Sequence, residues 1–229
     1  MMLTHVIRAV IFDLDGTLVH SLSGIAHALN TTLERHQLPT HPEAKVRTFI
    51  GDGITKLVER ACPSSYQIEQ VTALTEEVSA EYSNAWQHGT VPYPEVSKTL
   101  HTLLESGIKI AVLSNKPHTF CKKMTDFIFP DIPFTAVLGQ HQDMPTKPDP
   151  SSAIHLAKIL ALSPEQIAFV GDSTIDIITA RRASMLSIAA TWGYHDLTKL
   201  MAECPDHRID SINELVHIQI GRASCRERV

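Results

Sequence analysis

Leu22, Ile25, Leu29 and Leu33 recur at helical spacing, the pattern of a helix that hides one face, and it carries on through Arg35. Pro39 and Pro42 interrupt it, a second helical stretch occupies 43–49, and Ile54, Leu57, Val58 and Ala61 mark a third that Cys62-Pro63 ends. Ile68, Val71, Leu74, Val78, Tyr82 and Trp86 repeat the spacing over 66–86. Residues 19–88 therefore read as one helical block with no strand signal inside it.

On either side of the block the pattern changes. Ala9-Val10-Ile11-Phe12 is a short, continuously apolar run, as expected of a buried parallel strand. After Val91-Pro92-Tyr93-Pro94, a stiff segment suited to a hinge, helices and strands alternate. A helix from Val96 stops at Ser106-Gly107, and strands are predicted over 108–113, 134–138, 167–170 and 186–190. Helices at 117–127, 151–160 and 175–183 separate them. The alternation predicts an α/β fold, a Rossmann-like parallel sheet with helices on both faces, plus a small all-α cap inserted after the first strand. The expected division is 1–18 and 90–219 for the core and 19–89 for the cap. Residues 220–229 lack apolar periodicity, resemble the translation of a sequencing adapter, and are read as a non-native tail.

A chain of 229 residues, 43% hydrophobic, can bury one good core and a smaller accessory unit. The formal net charge of -5 and the lack of a basic cluster argue against nucleic acid as a partner. No apolar run spans a bilayer and no signal peptide precedes the first strand, so no membrane partner and a cytoplasmic location are expected. Cys62, Cys121, Cys204 and Cys225 show neither disulfide nor zinc spacing.

Parallel sheets hold ligands at the carboxyl ends of their strands. Four polar segments fall there: Asp13-Leu14-Asp15-Gly16-Thr17, Ser114-Asn115-Lys116, Thr146-Lys147-Pro148 and Gly171-Asp172-Ser173-Thr174-Ile175-Asp176. Carboxylates gathered in one buried place repel one another, and a divalent cation is the simplest remedy. Mg²⁺ suits an all-oxygen set, with Asp13 and Asp172 as direct ligands, Asp15 through its backbone carbonyl, and Asp176 orienting a coordinated water. With phosphate as the ligand, Asp13 is the candidate nucleophile and Asp15 the candidate general acid and base. Lys147 supplies a fixed positive charge, while Ser114 and backbone N–H groups near Asn115 can hold the phosphoryl oxygens.

These four motifs, in this order over residues 8–190, resemble those of the haloacid dehalogenase superfamily of phosphohydrolases. Residues 46–60, Pro92-Tyr93-Pro94, Asn115-Lys116-Pro117 and Trp192-Gly193-Tyr194 are similar to its phosphoglycolate phosphatase branch, although His20, Glu95 and Ser184 depart from it. The resemblance implies Mg²⁺-dependent hydrolysis of a small phosphorylated metabolite through an aspartyl-phosphate, with Thr17 in the phosphate-binding set and 2-phosphoglycolate as the first substrate to consider. A sugar-phosphate phosphatase, a pyrophosphatase, a phosphomutase and a silent binding module are the alternatives, and a monomer or homodimer is expected. The cap would choose the substrate. Gly51 and Gly53 ahead of the Ile54 helix could offer N–H groups to a substrate carboxylate, with Arg47 or Lys56 assisting.

Overall fold

The computed structural model describes residues 6–218 other than His88 and Gln142, so the 220–229 tail lies outside the described residues. The chain runs from β1 (Ala9–Phe12) through β2 (Val19–His20) into α1 (Leu22–Arg35), α2 (Glu43–Val46), α3 (Ile54–Ala61) and α4 (Ile68–Ala85). It returns through β3 (Val91–Pro92) and continues as α5 (Val96–Glu105), β4 (Lys109–Pro117), α6 (His118–Ile128), β5 (Ala136–Gln140) and α7 (Ser151–Leu160). It closes with β6 (Ile167–Gly171), α8 (Thr174–Arg182), β7 (Leu186–Ala190), α9 (Leu197–Ala202) and β8 (His207–Ile209).

Six parallel strands form the sheet in the order β5-β4-β1-β6-β7-β8, with β1 at its centre. An apolar strand of this kind needs cover on both faces, and side chains alternate between them. Val10 and Phe12 pack with Leu100 of α5 and Met124 of α6 on one face. Ala9 and Ile11 pack with Leu156 of α7 and Ala180 of α8 on the other. The fold class is therefore the one the alternation predicts.

The helical block has its own apolar cluster. Leu29 and Leu33 of α1, Val58 of α3 and Leu74 and Val78 of α4 bury one another, which is what their spacing on each helix requires. Val19–His20, expected within the helical block, is instead a strand, paired antiparallel with β3 through Val19↔Pro92 and His20↔Val91. The crossing segments thus leave and rejoin the sheet region side by side. Tyr93 N–H donates to the Leu18 carbonyl at 3.0 Å and extends this junction.

Other differences lie at strand ends. β4 runs on to Pro117 through an irregularity after Leu113, and β5 starts at Ala136 rather than two residues earlier. β8 and α9 have only three and six residues, too few to show a period.

Candidate active site

Register sets the site. Phe12 pairs with Val112 on one side and Val170 on the other, so the next residues of three neighbouring strands emerge at one edge. Asp13 leaves β1 there, its N–H still bonded to the Val170 carbonyl at 2.9 Å. Ser114 lies within β4, and Asp172 follows the end of β6.

Lys147 reaches this edge from the loop before α7. Its Nζ stands 2.8 Å from Asp13 Oδ1 and 2.6 Å from Asp176 Oδ1, with its side chain only 3% exposed. Asn115 fixes the loop: its Oδ1 accepts from the Lys147 N–H at 2.8 Å, and its Nδ2 donates to the carbonyls of Lys147 and Gly51 at 2.9 and 3.1 Å. Asp176 is placed by helix capping. Ser173 precedes α8 and accepts from the Asp176 N–H, while Asp176 Oδ2 accepts from the Ser173 N–H and Oγ at 3.0 and 2.6 Å. One carboxylate both caps the helix and anchors the lysine.

Asp172 is held from two sides. Thr17 Oγ1 donates to its Oδ1 at 3.1 Å, and the Tyr194 N–H donates to its Oδ2 at 2.7 Å. Gly193 allows this approach, since a Cβ there would stand 2.2 Å from the Asp172 Cβ. Gly16, at φ +88°, allows the turn that brings Thr17 round.

Oxygens of Asp13, Asp172 and Asp176 lie within 4.8 Å of one another, all buried. Three carboxylates beside one ammonium carry a negative surplus in a buried site. Burial drives Asp13 up to about 7 despite the Lys147 charge, with Asp176 and Asp172 adding to the rise. Burial likewise drives Asp172 up to about 7, with Asp176 adding and the Tyr194 N–H opposing. Burial works against the Lys147 ammonium, but Asp13 and Asp176 outweigh it, so this lysine stays charged above the ordinary range. Asp13 Oδ1 is buried beside the Lys147 ammonium at 2.8 Å. Three carboxylates share that one ammonium, and an all-oxygen set with this anionic surplus fits a hard divalent cation.

A cavity opens over this edge, between it and the helical block. Asp13, Asp15, Ser114, Asn115 and Lys147 line its polar end, and Gly51 and Gly53 line it from the block. Several expected residues are held by other partners. The Asp15 carboxylate is outside the acidic cluster, bound by Ser21 Oγ and by Lys116 Nζ, because the chain leaves the extended conformation after Phe12. Thr17 spends its hydroxyl on Asp172, behind the cavity lining. Arg47, expected to assist at the substrate, instead donates Nε to the Tyr194 carbonyl at 2.6 Å and Nη2 to the Gly193 carbonyl at 2.7 Å. Lys56 also departs from that expectation: it is exposed on α3 and pairs with Glu59 at 2.6 Å.

The sequence patterns gave no role to Lys116, Tyr82, Ser21 or Tyr194. Lys116 and Tyr82 line the cavity, and the Ser21 N–H donates to the Tyr194 hydroxyl at 2.7 Å. Lys116 carried a visible signal, a lysine two residues past Ser114 at a strand end, and Tyr194 stood in the Trp192-Gly193-Tyr194 segment, whereas Tyr82 read as an ordinary apolar position of its helix.

The sheet order and this set of side chains define a hydrolase class, and residues 10–190 match the model of the haloacid dehalogenase-like hydrolase family. The chain belongs to that family. It is 34% identical over 230 residues to the phosphoglycolate phosphatase of Salmonella typhimurium, covering 92% of this chain and 91% of that one. The phosphoglycolate phosphatase of Mannheimia succiniciproducens is 35% identical over 214 residues, covering 90% of this chain and 96% of that protein. Among solved structures, a predicted phosphoglycolate phosphatase from Haemophilus somnus superposes with a TM-score of 0.87 at 30% identity, over 93% of this chain and 98% of the other. Among the described residues, no helix is long and apolar enough to cross a membrane.

Proposed function

We propose that this chain hydrolyses a small phosphate monoester, 2-phosphoglycolate, to glycolate and inorganic phosphate. The observation that carries the reading is Lys147, held between Asp13 and Asp176 at the polar end of the cavity. Asp13 attacks phosphorus and becomes an aspartyl-phosphate as the ester oxygen leaves. Asp15, the other carboxylate lining the cavity, gives a proton to that oxygen and then takes one from the water that cleaves the acyl-phosphate. Lys147 holds the charge that builds on the phosphoryl oxygens, and Ser114 with neighbouring backbone N–H groups orients them. A Mg²⁺ ion held by Asp13, Asp172 and Asp176, with the Asp15 carbonyl, would keep Asp13 ionised and relieve its repulsion from the phosphate.

The helical block acts in this reading as the cap that excludes water, with Asn115 bonded across to Gly51. The domain division expected from sequence, a cytoplasmic location and a monomer or homodimer belong to the same proposal. A substrate panel tests it: phosphoglycolate, sugar phosphates, pyrophosphate and nucleotides are compared by phosphate release with Mg²⁺ and with a chelator. Phosphoglycolate is expected to lead, with activity lost on chelation. Preference for a substrate without a carboxylate overturns the named substrate, and full activity with the chelator overturns the role of the ion.

A further inference from the structure

Lys147 and Lys116 are the cations lining the cavity among the described residues, and Lys147 is committed to Asp13 and Asp176. Lys116 is placed differently. The irregularity of β4 after Leu113 turns it toward the cavity, where its side chain is only 7% exposed. Its Nζ lies 3.0 Å from each Asp15 oxygen and 4.5 Å from the centre of the Tyr82 ring, which α4 contributes from the helical block. An ammonium has three protons to give. Asp15 accepts from it through both oxygens, and the remaining direction meets Tyr82, ring and hydroxyl, a neutral partner that an anion displaces.

The apolar wall of the cavity is Ile25, Ile54, Leu57, Val78 and Phe120, none of whose side chains can answer a charge. A substrate with its phosphorus at Asp13 and its leaving oxygen at Asp15 carries the rest of its chain past Lys116 toward that wall. A carboxylate on this chain would face a severe desolvation cost if left unpaired there. We infer that Lys116 is the specificity-determining residue that pairs with the substrate carboxylate, so that the site selects short phosphorylated hydroxy acids. The inference rests on the phosphatase reading above and adds the group that recognises the leaving portion. It also transfers to Lys116 the role that the sequence offered to Arg47 and Lys56.

The test compares 2-phosphoglycolate with 2-phosphoglycolamide, its neutral isostere, in the wild type, Lys116→Met and Lys116→Gln. The glutamine retains a donor for Asp15 and guards against loss of folding, which circular dichroism checks. For both variants, kcat/KM on the acid is expected to fall about a hundredfold further than on the amide. Binding of 3-phosphonopropionate, a non-hydrolysable acid, is expected to weaken in parallel. Equal losses on the two substrates overturn the inference, because Lys116 would then serve Asp15 alone. Unchanged kcat/KM on both substrates overturns it as well and leaves the phosphatase reading standing. A wild type with no preference for the acid defeats the substrate reading itself, before any variant is compared.

Discussion

Removing divalent cations and raising the pH is expected to destabilise this protein, and Asp172 allows the size to be worked out. Its carboxyl is raised from the ordinary 3.8 to about 7, first by burial and then by Asp176. Between those values the folded chain holds a proton that the unfolded chain has released. Stability therefore falls as pH rises through the window and is level above it. The full interval corresponds to about 4 kcal/mol, of which about 3 kcal/mol lies between about pH 5 and about pH 8. Urea unfolding with a chelator at the two pH values measures it, and Asp172→Asn supplies the reference. An asparagine oxygen can still accept from the Tyr194 N–H, and the Thr17 hydroxyl can turn to accept from the amide. The wild type is expected to lose about 3 kcal/mol relative to the variant between about pH 5 and about pH 8. Added Mg²⁺ at a hundred times its dissociation constant returns about 2.7 kcal/mol to the wild type. Parallel pH dependence in the two proteins would refute the reasoning, since the buried acid would then have no part in it.

Asp13→Asn should abolish turnover while keeping the fold, and substantial residual phosphate release would remove Asp13 as the nucleophile. Lys147→Ala should lower kcat by about a thousandfold, because a unit pair at ~4 Å and an effective dielectric near 20 contributes roughly 4 kcal/mol; single-turnover kinetics on a folded variant reads this, and an unchanged rate rejects the charge role. Arg47→Ala removes two hydrogen bonds to the Gly193 and Tyr194 carbonyls and should cost about 3 kcal/mol of stability while raising the Mg²⁺ concentration needed for half activity. Urea titration and a Mg²⁺ activation curve check that pair of effects, and loss of substrate affinity alone would return Arg47 to the binding role expected from sequence.

The inner sheet was legible because β1, β6 and β7 bury both faces and β4 does so along its middle, so that each reads as a largely apolar run. Polar residues directly after such runs, as at Asp13, Ser114 and Asp172, announced the working edge before any coordinates. Direction was not legible. Arg47 and Lys56 sit in charged helical segments whose spacing leaves open which way each side chain turns, and the structure turns one onto core carbonyls and the other into solvent. Nor could spacing show that Lys116, Asp15 and Tyr82 meet, since their contacts join residues far apart in the chain. Thr17 stood in the right motif for phosphate, yet packing gives its hydroxyl to a carboxylate. The two-residue strands β2 and β3 are shorter than any period and become visible only through their pairing.

That ribbon has an architectural consequence. Because His20 and Val91 are paired neighbours, the chain ends left by excising everything between them would lie about 5 Å apart, one strand spacing. A two-residue Asn-Gly turn is enough to join them, turning the doorway into an ordinary hairpin. The helical lobe is thus a plug-in module: a different lobe can be spliced through the same opening without re-registering a single strand of the sheet beneath.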